Sequence, residues 1–227
     1  MNSLTPIDDG LWIAERRLRF VGLEVGTRMT VVRLAGGGLF VHSPVALDDA
    51  TREAVDRLGP VAAIVAPCLY HHLFVGDWAR AYPAASVSGC PGLAAKRSDV
   101  RWSRELGDGV PGDAEWRGDL EQVAFTALPL QNEVVFFHPA TRTMITSDVV
   151  FDLARHPSAV TRAVAFMTGL RAPGPTLLER LFIRDRAAAK EQIGRMVAWG
   201  AERIVLAHGA LVTTDAAAVL ERAYRWL

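Results

Sequence analysis

The chain has 227 residues, half of them hydrophobic and 22% charged, with 25 basic side chains against 25 acidic ones. This profile fits a globular protein with a sizeable core, in one large domain or two small ones. Balanced charge excludes a global field that would draw in nucleic acid or an anionic membrane, and no apolar run approaches the roughly 20 residues of a membrane span. The N-terminal residues show no basic stretch leading into an apolar one, so no secretory signal is expected. Cys68 and Cys90 are too far apart for a CxxC motif and are expected as reduced thiols of a cytoplasmic protein.

In chain order, residues 11–14, 18–25 and 29–34 read as strands, and Gly36-Gly37-Gly38 turns the chain into a further strand at 39–41. The segment LDDATREAVDRLG predicts a helix, with acids at its positive start and Gly59 at its stop. VAAIVAP comes next as a short buried strand and leads into a polar, aromatic loop, CLYHHLFVGDW. Residues 77–82 predict a helix ended by Pro83, 85–87 a short strand, and 92–96 a helical turn. Residues 98–118, rich in charge and Gly, are expected to cross the surface. VAFTAL and EVVFFH are strands, and a turn at 139–142 brings in a third, TMITSD. Residues 149–184 are mixed and broken at Pro173-Gly174-Pro175, and they suit a helical cap over a site. A helix at 185–199, the strand of ERIVLAHG and a last helix at 215–227 complete the chain. Along one face of that last helix, Leu220, Tyr224 and Leu227 could pack in the core or pair with another chain, and oligomeric state stays open. No repeat, low-complexity tract or long linker divides the chain, so one domain over 1–227 is expected. Strands in both halves with helices between them point to two packed sheets with helices outside. A doubly wound sheet would place its glycine-rich turn between a strand and a helix, whereas Gly36 to Gly38 join two strands.

Polar residues at the ends of buried strands are the candidates for chemistry. His71 and His72 lie just beyond VAAIVAP, Asp148 ends TMITSD, and His208 ends RIVLAH. Imidazole and carboxylate are ligand types that suit zinc or iron, and three loops could gather them around one ion. Glu133, opening EVVFFH, and His42, ending LFVH, are further candidates. Each has a structural alternative. His42 more often serves as a hydrogen-bonded structural residue, and Asp148 could cap the next turn. Glu133 could be a surface acid, and His138 and His156 read as solvated loop residues. Cys68 lies close to the site, but no neighbouring residue lowers a thiol pKa, so it reads as structural.

These blocks, MTVVRLAGGGLFVHSPV, IVAPCLYHHLFVGDW, EVVFFHPATRTMITSDVVF and ERIVLAHG, resemble in order and spacing the metallo-β-lactamase superfamily. VHSPV, APCLYHHLF and the run from Glu133 to Asp148 are similar in particular to its DUF4336 branch. The resemblance implies a four-layer αββα sandwich, with Asp148 at the family's metal-bridging Asp and His208 at its final His ligand. The departures are specific. Placing His72 on the last His of the His-x-His-x-Asp-His signature puts His71 where Asp belongs, and Pro67 and Leu69 where the first two His belong. LPLQNEVV replaces the Gly-His-Thr-Pro-Gly block, and His42 stands where a strand normally ends on Asp. One ligand set therefore remains, His71, His72, Asp148 and His208. It implies a single zinc or iron ion, with none at all as the alternative.

Three functions are compatible with these residues. A mononuclear hydrolase would act on a small ester, lactone or amide, with Asp148 holding the metal or orienting water and Glu133 as general base or alternative ligand. A scaffold that has lost catalysis would bind a small molecule or a protein partner. The superfamily's iron-dependent oxidoreductases supply a third class. Lys96 and Arg97 could hold an anionic group, although basic residues ending a helix more often only complement its dipole. The apolar stretches around Phe166 and Leu170 hint at a partly hydrophobic substrate.

Overall fold

A computed structural model describes residues 4–107 and 116–227. The chain opens with β1 (Thr5–Asp8) and β2 (Leu11–Arg16), makes a small hairpin of β3 (Arg19–Phe20) and β4 (Leu23–Glu24), and returns as β5 (Thr27–Arg33) and β6 (Leu39–His42). Then come α1 (Asp49–Leu58), β7 (Val61–Ala66), α2 (Val75–Ala81), β8 (Ser86–Gly89), α3 (Leu93–Lys96) and β9 (Arg104–Glu105). Of the segment expected on the surface, 98–118, residues 108–115 lie outside the described residues, and the earlier part supplies β9. The second half holds β10 (Glu121–Phe125), β11 (Glu133–His138), β12 (Thr143–Ile145), α4 (Ala159–Met167), α5 (Leu177–Phe182), α6 (Arg186–Ala198), β13 (Arg203–Val205) and α7 (Ala216–Tyr224).

Two main sheets result. One has the order β1-β2-β5-β6-β7-β8-β9, and the other β10-β11-β12-β13. Alternation along β11 explains how the layers form, because successive side chains point to opposite faces. Val134 and Phe136 belong to the core shared with the first sheet, where Phe40 meets Phe136 and Trp116 at ring distances of 5.1 and 5.2 Å. Val135 and Phe137 face the other way, into the core that buries Ile193 and Met196 of α6 and Leu220 of α7. On the first sheet, Val55 of α1 and Trp78 of α2 join the inner cluster. The architecture is the four-layer αββα sandwich, built from α/β elements.

The helix boundaries have local causes. Asp48 Oδ1 accepts from the Thr51 N–H at 2.7 Å to start α1, and Asp185 accepts from Ala188 N–H at 2.9 Å to start α6. Gly59 ends α1 at φ +150°, where a Cβ would come within 3.0 Å of the Gly37 carbonyl oxygen. Leu220 and Tyr224 pack in the core, and Tyr224 donates its hydroxyl to the Val149 carbonyl at 2.8 Å. No helix among the described residues is long and apolar enough to cross a membrane.

Candidate metal centre

The loops after β6, β7, β12 and β13 bring their polar residues together at one edge of the sandwich. The His71 loop is tied across to β11, with Val134 N–H donating to the Pro67 carbonyl at 2.8 Å and Leu69 N–H to the Gln131 carbonyl at 2.9 Å. At the centre, His71 Nε2 and His208 Nε2 are 3.0 Å apart. They lie 3.3 and 3.2 Å from Asp148 Oδ1, and the three side chains are almost wholly buried.

Outer partners decide which way the lone pairs point. His208 Nδ1 is 2.8 Å from the Gly26 carbonyl oxygen, which can only accept, so Nδ1 carries the proton and Nε2 turns a lone pair inward. Ser43 Oγ lies 2.7 Å from His71 Nδ1 and can orient that ring in the same sense. Ser43 holds φ +53°, a left-handed conformation costly for a residue with a Cβ, and that backbone aims its hydroxyl at His71. Phe151 stacks parallel to His208 at 5.8 Å. Burial alone would raise the Asp148 carboxyl, but the adjoining imidazoles, His71 first and then His208, outweigh it and hold the group well below the usual carboxylate range.

Donors bound about 2.0–2.1 Å from a tetrahedral zinc stand about 3.3 Å from one another. The spacings of 3.0, 3.2 and 3.3 Å match that requirement, so these three residues fit one divalent ion. Cys68 stands beside them. Its thiol donates to Asp148 Oδ2 at 3.1 Å, and Cys68, His71 and Asp148 offer ligand atoms within 4.8 Å of one another. Burial, with the Asp148 and Glu133 carboxylates, pushes this thiol well above its ordinary pKa. Cys68, expected as a purely structural thiol, is thus a neighbour of the ligand set. Its place two residues beyond a buried strand and three before His71 is the signal that could have found it.

His72 is not drawn into the cluster. Its Nδ1 lies 3.1 Å from Arg97 Nη1, which also donates to the His72 carbonyl at 2.7 Å. An imidazole that accepts at Nδ1 carries its proton on Nε2 and has no lone pair left for a metal. Burial, with Lys96 and Arg97 nearby, lowers its pKa to about 4 and keeps it neutral. Of the four residues expected to form the ligand set, the structure therefore gathers three.

Glu133 departs from its expected role as base or ligand. It is fully buried and does not line the cavity at the site. Its carboxylate accepts from the N–H groups of Ser147, Asp148 (2.7 Å) and Val149 (2.8 Å), from the Thr146 hydroxyl and from Gln131. Successive N–H groups wrapped around one anion form a nest, and this nest shapes the loop that presents Asp148. Burial and the nearby Asp148 push the Glu133 acid up, while those hydrogen bonds pull it back. Glu133 is thus a positioning residue. Arg28 does the same for His208. Buried itself, it donates to the carbonyls of Leu206 and Gly209 (2.7 Å) on either side of His208 and pairs with Glu15.

The remaining histidines are buried as well. His138 and His156, expected in solvent, are 6% and 9% exposed. Their Nδ1 atoms meet Thr141 Oγ1 at 2.8 Å and the Ser158 N–H at 3.1 Å. His42 lies edge-on to Phe136, and its Nε2 has no hydrogen-bond partner among the described residues. Burial, assisted by His71, lowers its pKa to about 3. A buried neutral His is protonated more readily in the unfolded chain, so its stability is complete above the unfolded pKa of about 6.5 and is lost as pH falls toward 3. Urea unfolding of wild type and His42→Leu at pH 7.5 and pH 5 isolates this group, because the other titrations are common to both. Wild type should lose up to about 1.4 kcal/mol more per pH unit than the variant. Equal losses would show that His42 does not titrate on unfolding.

The three converging residues form the floor of a cavity of about 520 Å³. Its walls are apolar, from Leu18, Phe20, Val25, Leu73, Phe74 and Phe151. Phe166 and Leu170, expected as the apolar contribution, do not line it. Phe166 is exposed, and Leu170 belongs to a separate small cluster. The segment expected as a cap reaches the cavity through Phe151, Leu153 and Glu179. Of the two basic residues, Lys96 lines it, whereas Arg97 is taken up by Asp99 at 2.7 Å and by His72.

An αββα sandwich with His and Asp side chains converging from loops at one edge fits the metallo-β-lactamase fold, and solved structures agree on the fold. The chain aligns with a metallo-beta-lactamase from Pontibacter korlensis at 16% identity and TM-score 0.65, covering 98% of each chain. One from Hirschia baltica aligns at 10% identity and TM-score 0.65, over 98% of this chain and 95% of that one. The metallo-beta-lactamase FIM-1 from Pseudomonas aeruginosa, in its mono-zinc form, aligns at 12% identity and TM-score 0.63, over 98% and 94%. The chain is a metallo-β-lactamase-fold protein whose residues 8–95 match DUF4336, a domain of unknown function. No curated protein matches it in sequence.

Proposed function

We propose that this chain acts as one domain and as a mononuclear metal-dependent hydrolase, opening a small ester, lactone or amide with an apolar body. The observation that carries the reading is the convergence of His71 Nε2, His208 Nε2 and Asp148 Oδ1 within 3.3 Å of one another, with outer hydrogen bonds orienting both rings. These three would hold one zinc or iron ion and leave a fourth position open for water, with the protonated Cys68 thiol beside them on Asp148 Oδ2. When bound, such an ion supplies Lewis acidity, lowering the pKa of a water and polarising a carbonyl oxygen. The mono-zinc form of FIM-1 supports a single ion on this fold.

The chain's own residues supply the rest. Apolar walls exclude bulk water and seat the substrate body, while Lys96 on the rim offers a cation to an anionic substituent. Phe20 of the β3–β4 hairpin lines the cavity and meets Tyr70 edge-on at 6.0 Å. Asp148 stays ionised at the floor and can accept a hydrogen bond from the attacking water.

Elemental analysis of protein purified without chelators tests the reading. Wild type should carry about one zinc or iron ion per chain, and His208→Ala, with unchanged circular dichroism, should carry almost none. Wild-type protein without stoichiometric metal would sink the hydrolase and leave a non-catalytic scaffold that binds a small molecule or partner.

A further inference from the structure

We propose that a second cavity, separate from the metal centre and independent of the hydrolase reading, binds a small molecule bearing a di- or triphosphate. This cavity, of about 360 Å³, lies between the 169–175 loop and the C-terminal helix α7. Four of its lining residues are arginines, Arg171, Arg180, Arg222 and Arg225, and none is acidic. Among the described residues, no carboxylate pairs with any of the four. The chain's formal charge is zero, so this concentration of positive charge is local.

Aromatic contacts organise the guanidinium groups. Arg171 lies over Phe166 at 4.5 Å, and Arg180 and the neighbouring Arg186 lie over Trp226 at 5.5 and 5.6 Å. Such stacking uses the faces of the guanidinium planes and leaves their edge N–H groups for a ligand. Arg180 Nε is buried without a hydrogen-bond partner among the described residues, a costly state for a charged donor that an incoming anionic oxygen would relieve. Arginine forks match phosphate oxygens two at a time, and four of them exceed what one phosphate needs. The opposite wall is rigid. Between Pro173 and Pro175, Gly174 exchanges two hydrogen bonds with Phe151, at 3.0 and 3.1 Å, so little ordering cost remains for binding.

Calorimetric titration of the full chain with inorganic tripolyphosphate at about 0.15 M salt tests the site. Saturable one-to-one binding is expected. It should weaken about tenfold or more in Arg222→Glu and in Arg225→Glu, both exposed positions whose replacement spares the fold, and hold within about twofold in His208→Ala. Absence of saturable binding overturns the proposal, as does binding indifferent to both arginine substitutions or lost in His208→Ala, which would place the anion at the metal centre. A parallel arm uses phosphatidylcholine vesicles containing an inositol polyphosphate lipid. Arginine-dependent capture by vesicles without binding of tripolyphosphate would assign the patch to a membrane surface and refute a soluble ligand.

Discussion

Replacing Glu133 by Ala should cost on the order of 3–5 kcal/mol and lower the melting temperature by roughly 10 °C or more. Its carboxylate satisfies three consecutive N–H groups, those of Ser147, Asp148 and Val149, together with the Thr146 hydroxyl, all in a buried place. Alanine removes every acceptor at once and leaves those donors facing a cavity. Glu133→Gln keeps the shape but turns an amide N–H₂ toward other donors, so an intermediate loss is expected. Thr146→Val removes one donor while Glu133 keeps those of Gln131, Ser147, Asp148 and Val149, and should cost about 1 kcal/mol. Differential scanning calorimetry of the three variants gives the ranking. A Glu133→Ala protein melting within about 2 °C of wild type would show that the nest does not hold this loop. Because Asp148 belongs to the same loop, metal content should fall along with stability.

Gly209→Ala is expected to be as severe, for a steric reason. A Cβ at Gly209 would lie 2.0 Å from the Asp152 carbonyl oxygen and 2.4 Å from its carbon, both backbone atoms that cannot rotate away. The residue also holds φ +104°, which a side chain disfavours. Neighbouring segments are interlocked at this point, with Asp152 N–H donating to the His208 carbonyl at 3.0 Å. Relief therefore requires His208 itself to move, and Nε2 with it. A loss on the order of 3–5 kcal/mol and of most bound metal is expected. Gly194→Ala is the contrasting control. Gly194 lies in α6 with open space where a Cβ would go, and alanine there should stabilise by about 0.5–1 kcal/mol. If chemical denaturation and metal analysis find Gly209→Ala equivalent to wild type, the close approach of the two backbones is not structurally required.

Much of the fold was legible in the chain. The apolar run of EVVFFH, the acidic start and Gly59 stop of the first helix, and the hairpin glycines are local signals, and local sterics and hydrogen bonding act wherever the residues occur. His71, Asp148 and His208 could be picked out because each lies beyond a buried strand, and strand ends deliver side chains to shared edges.

Sequence alone reaches the αββα class and a short roster of polar strand-end residues. Folding decides which of them act together. His72 differs from His71 by one position, yet Arg97, far along the chain, claims its Nδ1 while Ser43 orients the ring of His71. Cys68 offered only its place beyond a buried strand, shared with structural thiols, until folding set Asp148 Oδ2 at 3.1 Å from its sulfur. Glu133 had no local feature of a buried anchor until three backbone N–H groups from beyond the turn closed around it. The physical reason is common to all three. Lone-pair direction, protonation and burial are set by partners distant in sequence, and only the packed chain brings those partners within hydrogen-bond reach.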